Sequence, residues 1–187
     1  PTRRSSDLRP LVVFTPKSLL RHPLAVSRPE ELATGRFRPV LDDDGARARA
    51  AEVARILVCT GKISYELVAS ERRAAAPPTA IVRIEQLYPF PEAELAAVLA
   101  GYPAAEEIVW VQEEPENMGA WRFVEPRLRA LAPAGARVAY VGRPERASPA
   151  EGYASAHEAE QARIVEAAFA PLPAPRRTRP AERPGRR

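Results

Sequence analysis

The chain has 187 residues, 45% of them hydrophobic and 28% charged, which is typical of one globular domain large enough to bury a core. No apolar run approaches the ~20 residues that a membrane-spanning helix needs, and the single cysteine, Cys59, excludes an internal disulfide and a cysteine-based zinc cluster. The net charge of +4 is concentrated in the arginine-rich residues 171–187, so residues 9–170 are slightly acidic and no nucleic-acid-binding surface is predicted.

The two ends of the chain differ in composition from the part between them. Residues 1–8 resemble the translation of a sequencing-adapter oligonucleotide and are predicted to be a non-native leader. They contain no apolar signal core, which together with the single cysteine favours the cytoplasm. Residues 171–187 mix prolines with arginines and are predicted to be a disordered tail. The folded domain is therefore predicted to cover residues 9–170.

Between these ends, apolar runs alternate with amphipathic stretches. The predicted strands are residues 11–14, 56–59, 80–84, 108–111 and 138–141, and the predicted helices begin near residues 63, 91, 118 and 156. Pro126 is expected to kink or split the third helix. Ser155 and Glu158 form a capping-box pattern at the start of the last helix. Alternating strands and helices predict an α/β fold, with a mostly parallel five-stranded sheet and helices on both faces.

The turn after the second predicted strand carries a candidate anion contact. Gly61 and Lys62 resemble the end of a phosphate-binding loop. That loop also needs an upstream glycine, where Ile56 stands, and a hydroxyl residue after the lysine, where Ile63 stands. A lysine at a helix N-terminus can still meet an anion. The sequence therefore favours a plain turn and leaves an anion contact at Lys62 open.

The loop after the fourth predicted strand is acidic. Glu113, Glu114 and Glu116 lie there, and paired carboxylates can do acid–base chemistry when their environments separate their pKa values. Pro115 indicates a fixed turn in the same loop. These features favour a positioning or interface role over catalysis.

The other chemically interesting side chains favour structural roles. His22 and His157 are far apart in the chain and have no evident third ligand, so no metal or catalytic site is predicted for them. Cys59 ends an apolar strand and is predicted to lie in the core. Trp110 and Trp121 have a spacing that suits core packing. A glycine-rich dinucleotide fingerprint is also missing from the sequence.

Several short strings occur in an order and spacing that resemble one enzyme family. They are FTPKSLLRHP (residues 14–23), GKISYEL (61–67), RIEQLYPFP (83–91), QEEP with GAW (112–115 and 119–121), and GRP with ASPA (142–144 and 147–150). Together they resemble the C-terminal domain of 2-oxoglutarate dehydrogenase, and the resemblance implies a fold like the transketolase C-terminal domain. The family-motif residues in the strand-end loops are Arg83, Glu85, Gln86, Gln112, Glu113, Glu114 and Trp121.

By this resemblance, the parent enzyme is a homodimeric oxidoreductase of the tricarboxylic acid cycle that uses thiamine diphosphate and Mg²⁺. It decarboxylates 2-oxoglutarate and passes the succinyl group to a lipoyl arm of the dihydrolipoyl succinyltransferase component. Residues that choose between 2-oxoglutarate and 2-oxoadipate would lie upstream of this chain. The family's Gly-Asp-Gly and Asn cofactor motif is missing, since Asp44-Gly45 is the nearest match and Asn117 is the only asparagine. We therefore expect a fragment without the N-terminal thiamine-binding domains and without a cofactor site, inactive alone.

The resemblance also implies a regulatory role, because some relatives bind nucleotides or acetyl-CoA at this domain. The candidate anionic effector contacts are Lys17, Arg21 and Lys62. Glu92 and Glu94 follow Phe90 and Pro91, where relatives that respond to acetyl-CoA have arginines, which disfavours control by acetyl-CoA. The alternative prediction is a stand-alone nucleotide- or acyl-CoA-binding or assembly module. Neither prediction involves a membrane or nucleic-acid partner.

Overall fold

A computed structural model describes residues 12–172 of the chain. The predicted leader at residues 1–8 lies outside the described residues, as does the predicted tail from residue 173 onward. The domain boundaries therefore stay predictions. Across residues 12–172, no helix is both long enough and apolar enough to cross a membrane.

One five-stranded sheet forms the centre of the fold. Its strands are β1 Val40–Leu41, β2 Arg55–Cys59, β3 Thr79–Ile84, β4 Glu107–Pro115 and β5 Arg137–Arg143. They lie in the spatial order β1-β3-β2-β4-β5. The pairs β2–β3, β2–β4 and β4–β5 are parallel, whereas the short β1 pairs antiparallel with β3. The predicted mostly parallel five-stranded sheet is confirmed.

Helices cover both faces of this sheet. They are α1 Pro29–Thr34, α2 Asp44–Arg47, α3 Ile63–Ala69, α4 Arg72–Ala75, α5 Glu92–Ala100, α6 Trp121–Leu131 and α7 Ala154–Phe169, with short 3-10 turns at Lys17–Leu19 and Ala50–Glu52. The alternation of side chains along β2 separates two cores. Ile56 and Val58 pack in the core under α5 and α6, whereas Leu57 and Cys59 pack in the core under α3 and α7. The prediction of helices on both faces is confirmed.

The first predicted strand, at residues 11–14, is wrong. Val12, Val13 and Phe14 lie outside any strand and are 73%, 73% and 94% exposed. The strand that completes the sheet is β1, which the sequence did not predict. β1 has only two residues, too few to show the alternation of apolar and polar side chains that marks a strand. An apolar run predicts that its side chains are buried. A strand also needs a neighbouring strand whose backbone N–H and C=O groups are available for hydrogen bonds.

Three helix predictions also differ from the structure. α6 continues through Pro126, although a proline at this interior position removes one backbone hydrogen bond. The last helix begins at Ala154, and its N-cap is Tyr153 instead of the predicted Ser155. The predicted helix that begins near residue 63 is interrupted at Ser70, whose extended backbone ends α3 before α4 begins.

The carboxylate of Asp43 satisfies the edge of β3 beyond the end of β1. β1 pairs with β3 only at Ile84 and Arg83, so the backbone further along this edge needs another partner. Asp43 Oδ2 accepts a hydrogen bond from the backbone N–H of Ile81 at 3.0 Å and one from Arg73 at 2.6 Å. Its Oδ1 accepts from the N–H of Ala46 at 3.1 Å and caps α2. One side chain thus joins β3, α2 and α4.

We predict that Asp43→Ala lowers the free energy of unfolding by about 2–4 kcal/mol, because it removes a helix cap and leaves a sheet N–H without a partner. Urea unfolding followed by circular dichroism measures this change. Asp44→Ala is the matched control, since Asp44 is exposed in the first turn of α2 and its loss costs less than about 1 kcal/mol. Equal effects of the two substitutions would contradict the role of Asp43.

Candidate functional site

The parallel strands end at one edge of the sheet, which we call the carboxyl edge. α/β sheets bind their ligands at this edge, where the loops that follow the strands meet. Arg83 lies near the end of β3, Glu113 near the end of β4 and Arg143 at the end of β5, and Lys62 follows β2. The structure therefore brings several of the predicted site residues to this edge.

Lys62 and Glu113 belong to one ion-paired cluster with two residues that the sequence analysis missed. Lys62 Nζ pairs with Glu66 and lies 3.4 Å from Glu113 Oε1. Gln161 Nε2 on α7 donates hydrogen bonds of 2.7 Å to both Glu66 and Glu113. Gly61 precedes the cluster in the left-handed conformation, with φ of 71°, as a plain turn requires.

One cation, Lys62, lies between two carboxylates in this cluster. Burial alone lowers the pKa of Lys62, but hydrogen bonds and charge from Glu66 and Glu113 outweigh it, and the net pKa lies above its ordinary value. Lys62 is therefore cationic at neutral pH and already faces two carboxylates. An anion that binds Lys62 would have to compete with them, and the predicted anionic effector contact stays a prediction.

Arg83 and Glu85 form a second pair at the carboxyl edge. The guanidinium of Arg83 contacts the Glu85 carboxylate, donates to Ser64 Oγ at 3.1 Å and lies 4.8 Å from the centre of the Tyr65 ring. The backbone N–H groups of Glu85 and Gln86 both donate to the carbonyl of Pro39, just before β1. The string around residues 83–91 thus fixes the entry of the chain into the sheet.

Gln112 and Trp121 meet in a buried hydrogen-bond network. Gln112 Oε1 accepts from Trp110 Nε1 at 2.7 Å and from the backbone N–H of Trp121 at 3.1 Å. Its Nε2 donates to the carbonyls of Glu114 and Pro115, each at 3.1 Å. The amide group therefore uses both donors and both acceptor positions. Position 119, in the adjacent loop, must be glycine, because a Cβ there would overlap the Gln112 amide.

The loop between β5 and α7 is held by residues for which the sequence predicted no site role. Arg143 is buried and its Nη2 lies 3.0 Å from His157 Nδ1. Because arginine only donates, the imidazole nitrogen is the acceptor. Asn117 exchanges two hydrogen bonds with the backbone of Arg146, at 3.0 and 3.1 Å. These contacts join the loops that follow β4 and β5.

The side chains of three further predicted site residues, Lys17, Arg21 and Glu114, are exposed. Lys17 and Arg21 are exposed in the segment before β1, and no hydrogen bond or ion pair among the described residues joins either to Lys62. Glu114 is exposed at the end of β4. Burial raises the pKa of the Cys59 thiol to about 12, so this cysteine is neutral and suits the core position predicted for it.

The described residues do not fit thiamine diphosphate with Mg²⁺. Both polar atoms of the Asn117 amide are used by the Arg146 backbone, and Asp44 begins the one-turn helix α2. Within residues 12–172, no group of three or more His, Cys, Asp or Glu side chains is arranged to hold a metal ion. We therefore derive no catalytic step through the cofactor for this chain.

We predict that Gln112→Ala lowers the free energy of unfolding by about 2–4 kcal/mol, because the buried Trp110 Nε1–H and Trp121 N–H lose their acceptor. Urea unfolding followed by tryptophan fluorescence reports both the stability and the environment of these rings. Gln86→Ala is the matched control, since the Gln86 side chain donates an exposed hydrogen bond to the Pro89 carbonyl and the backbone hydrogen bond of Gln86 is kept. A loss no larger than that of the control would contradict the role assigned to Gln112.

Comparison with known proteins supports the resemblance found in the sequence. The family described as 2-oxoglutarate dehydrogenase C-terminal matches residues 26–169. The chain is 52% identical over 164 residues to the 2-oxoglutarate dehydrogenase E1 component of Geobacillus kaustophilus and 50% identical over 164 residues to that of Geobacillus sp. strain WCH70. Each match covers 87% of this chain but only 17% of the relative. The chain belongs to the 2-oxoglutarate dehydrogenase C-terminal family.

Proposed function

We propose that this chain is the C-terminal structural domain of a thiamine-diphosphate-dependent 2-oxoglutarate dehydrogenase, and that the chemistry takes place in the larger part of the enzyme that it does not span. The observation that carries this proposal is the mutual pairing at the carboxyl edge. Lys62 is paired with the carboxylates of Glu66 and Glu113, and the Gln112 amide uses all its hydrogen-bonding positions within the domain. Side chains committed in this way are suited to supporting loops and poorly suited to moving protons.

The parent enzyme, in this proposal, decarboxylates 2-oxoglutarate and transfers the succinyl group to the lipoyl arm of a dihydrolipoyl succinyltransferase. It is a homodimer and acts in the cytoplasm in the tricarboxylic acid cycle. The proposal is supported by the names of the relatives, each a 2-oxoglutarate dehydrogenase E1 component. The role of the present domain is then to supply a rigid surface against which the thiamine-binding domains pack.

A regulatory site for an anionic effector has weaker support. Of the three candidate contacts, Lys62 already pairs with two carboxylates, whereas Lys17 and Arg21 are exposed and no hydrogen bond or ion pair among the described residues joins either to Lys62. We therefore expect titration calorimetry of the chain with AMP, ADP or acetyl-CoA to give no heat of binding. Binding that disappears in Lys62→Ala would instead favour a nucleotide-binding module.

We predict that the purified chain releases no CO₂ from 2-oxoglutarate when thiamine diphosphate and Mg²⁺ are added. A chimera tests the proposal directly: the matching region of the Geobacillus kaustophilus E1 component is replaced by residues 12–172. We expect the chimera to keep decarboxylase activity within about tenfold of the relative, which is about 1.4 kcal/mol in the barrier. The relative without that region is the negative control.

Two outcomes would contradict the proposed function. Thiamine-dependent CO₂ release by the purified chain would place catalytic groups within it. A chimera that folds and assembles but is no more active than the truncated relative would show that the domain does not serve this enzyme. Sedimentation velocity of the chimera separates the second outcome from a failure to fold.

A further inference from the structure

A groove of about 600 Å³ lies between α3 and α7, and we call it the α3–α7 groove. The small apolar side chains of Ala69, Ala162 and Val165 line its middle. Toward the carboxyl edge it reaches the ion-paired cluster described above, and further along the two helices it is lined by Arg72 and Glu166, which form an ion pair of 3.0 Å. The groove thus has an apolar middle between two polar ends.

Gln161, which lines the groove, has an acceptor that no described residue uses. The residue is only 8% exposed, and its Nε2 donates to the carboxylates of Glu66 and Glu113. Its Oε1 is buried and has no hydrogen-bond partner within residues 12–172. A buried oxygen without a donor destabilises the fold, and native structures rarely leave one unpaired. The missing partner of this oxygen is therefore a hydrogen-bond donor.

The same end of the groove holds more carboxylate charge than the described cations balance. Lys62 is the single cation that faces both Glu66 and Glu113. Glu158, one turn before Gln161 on α7, also lines the groove, and its side chain has no ion pair or hydrogen bond within the described part of the chain. A group that fits this end must donate hydrogen bonds and carry positive charge. The guanidinium of arginine does both, because it has five N–H donors and no acceptor.

The chain leaves α7 close to this groove. α7 ends at Phe169, and Leu172 packs against the core under α3 and α7. The first arginines beyond this point are Arg176 and Arg177. Four extended residues from Leu172 span up to about 14 Å, and Gln161 lies about 12 Å back along the helix from Phe169. The two arginines can therefore reach the polar end of the groove.

We propose that the α3–α7 groove binds residues 173–179 of the same chain, with the two adjacent arginines of this segment facing Gln161 Oε1 and the carboxylates of Glu66 and Glu158. The inference does not depend on the proposed function. Because the segment is tethered at the end of α7, its effective concentration at the groove is high, and the contact needs little affinity of its own. The contact uses side chains, so the prolines of the segment do not oppose it.

Trypsin tests this contact in the full chain, because it cleaves after Arg176 and Arg177. We expect these cleavages to be at least about tenfold slower in the unaltered chain than in the Glu66→Gln, Glu158→Gln variant, because cleavage follows the population of the unbound segment. Cleavage after Lys17, which is exposed and does not line the groove, is the internal reference in each digest.

Glu71→Gln with Glu94→Gln is the matched control for the groove variant. It removes the same charge from two exposed positions that do not line the groove. We expect cleavage after the two arginines to stay as slow in this control as in the unaltered chain. Circular dichroism checks that both variants keep the fold.

Nuclear magnetic resonance gives a second readout that leaves the described domain unaltered. In the full chain, Arg176→Ala with Arg177→Ala should shift the side-chain amide signals of Gln161, because Oε1 loses its donor. Arg186→Ala with Arg187→Ala removes the same charge from the far end of the chain and should leave these signals in place.

Several outcomes would overturn the proposal. One is equal cleavage of the unaltered chain and the groove variant, and another is equal acceleration in the groove variant and its matched control. Gln161 signals that do not respond to Arg176→Ala with Arg177→Ala would overturn it even if the groove variant failed to fold. Protection that grows with protein concentration would assign the groove to the segment of a second copy instead.

Discussion

The side-chain amide of Gln112 is the interaction on which the arrangement of the carboxyl edge depends. Its oxygen accepts hydrogen bonds from Trp110 Nε1 and from the backbone N–H of Trp121, the first residue of α6. Its nitrogen donates to two carbonyls at the end of β4. The pairing of β4 with β5 is irregular in the same stretch, between Val111 and Pro115. A buried amide with four partners holds such an irregular strand end in one geometry. The hydrogen bonds of Gln112 therefore give Gln112 and Trp121, two residues of the motif at 112–121, a structural explanation.

Polar pairs close the carboxyl end of the core that lies under α3 and α7. Along the sheet these are Arg83 with Ser64, Lys62 with Glu113, and Arg143 with His157. A charge that is partly withdrawn from water needs such partners, because its desolvation is otherwise costly. The edge at which an α/β sheet ordinarily binds its ligand is here occupied by the protein's own side chains. If the active site lies in another part of the enzyme, as proposed, the edge of this sheet is free to hold structural pairs.

The parts of the fold that sequence predicted well are those with a strong local signal. Strands β2 to β5 carry buried apolar runs, and the motif strings identified the loops at their ends. The partners in those loops were not predictable in the same way. Gln161 is 95 residues from Glu66 and 48 from Glu113, and nothing near it in sequence distinguishes it from any other helical glutamine. Asn117 and Arg143 likewise take their roles from tertiary contacts.

The wrong strand at residues 11–14 has a physical cause. An apolar run indicates side chains whose burial is favourable, at roughly 25 cal/mol per Å² removed from water, but it does not say which surface buries them. For a self-contained domain, the natural expectation is a strand in its own sheet. For a region that matches one sixth or so of a longer polypeptide, contact with another domain is an equally direct solution. Phe14, which is 94% exposed and lies outside any strand, is not buried by the sheet of this domain.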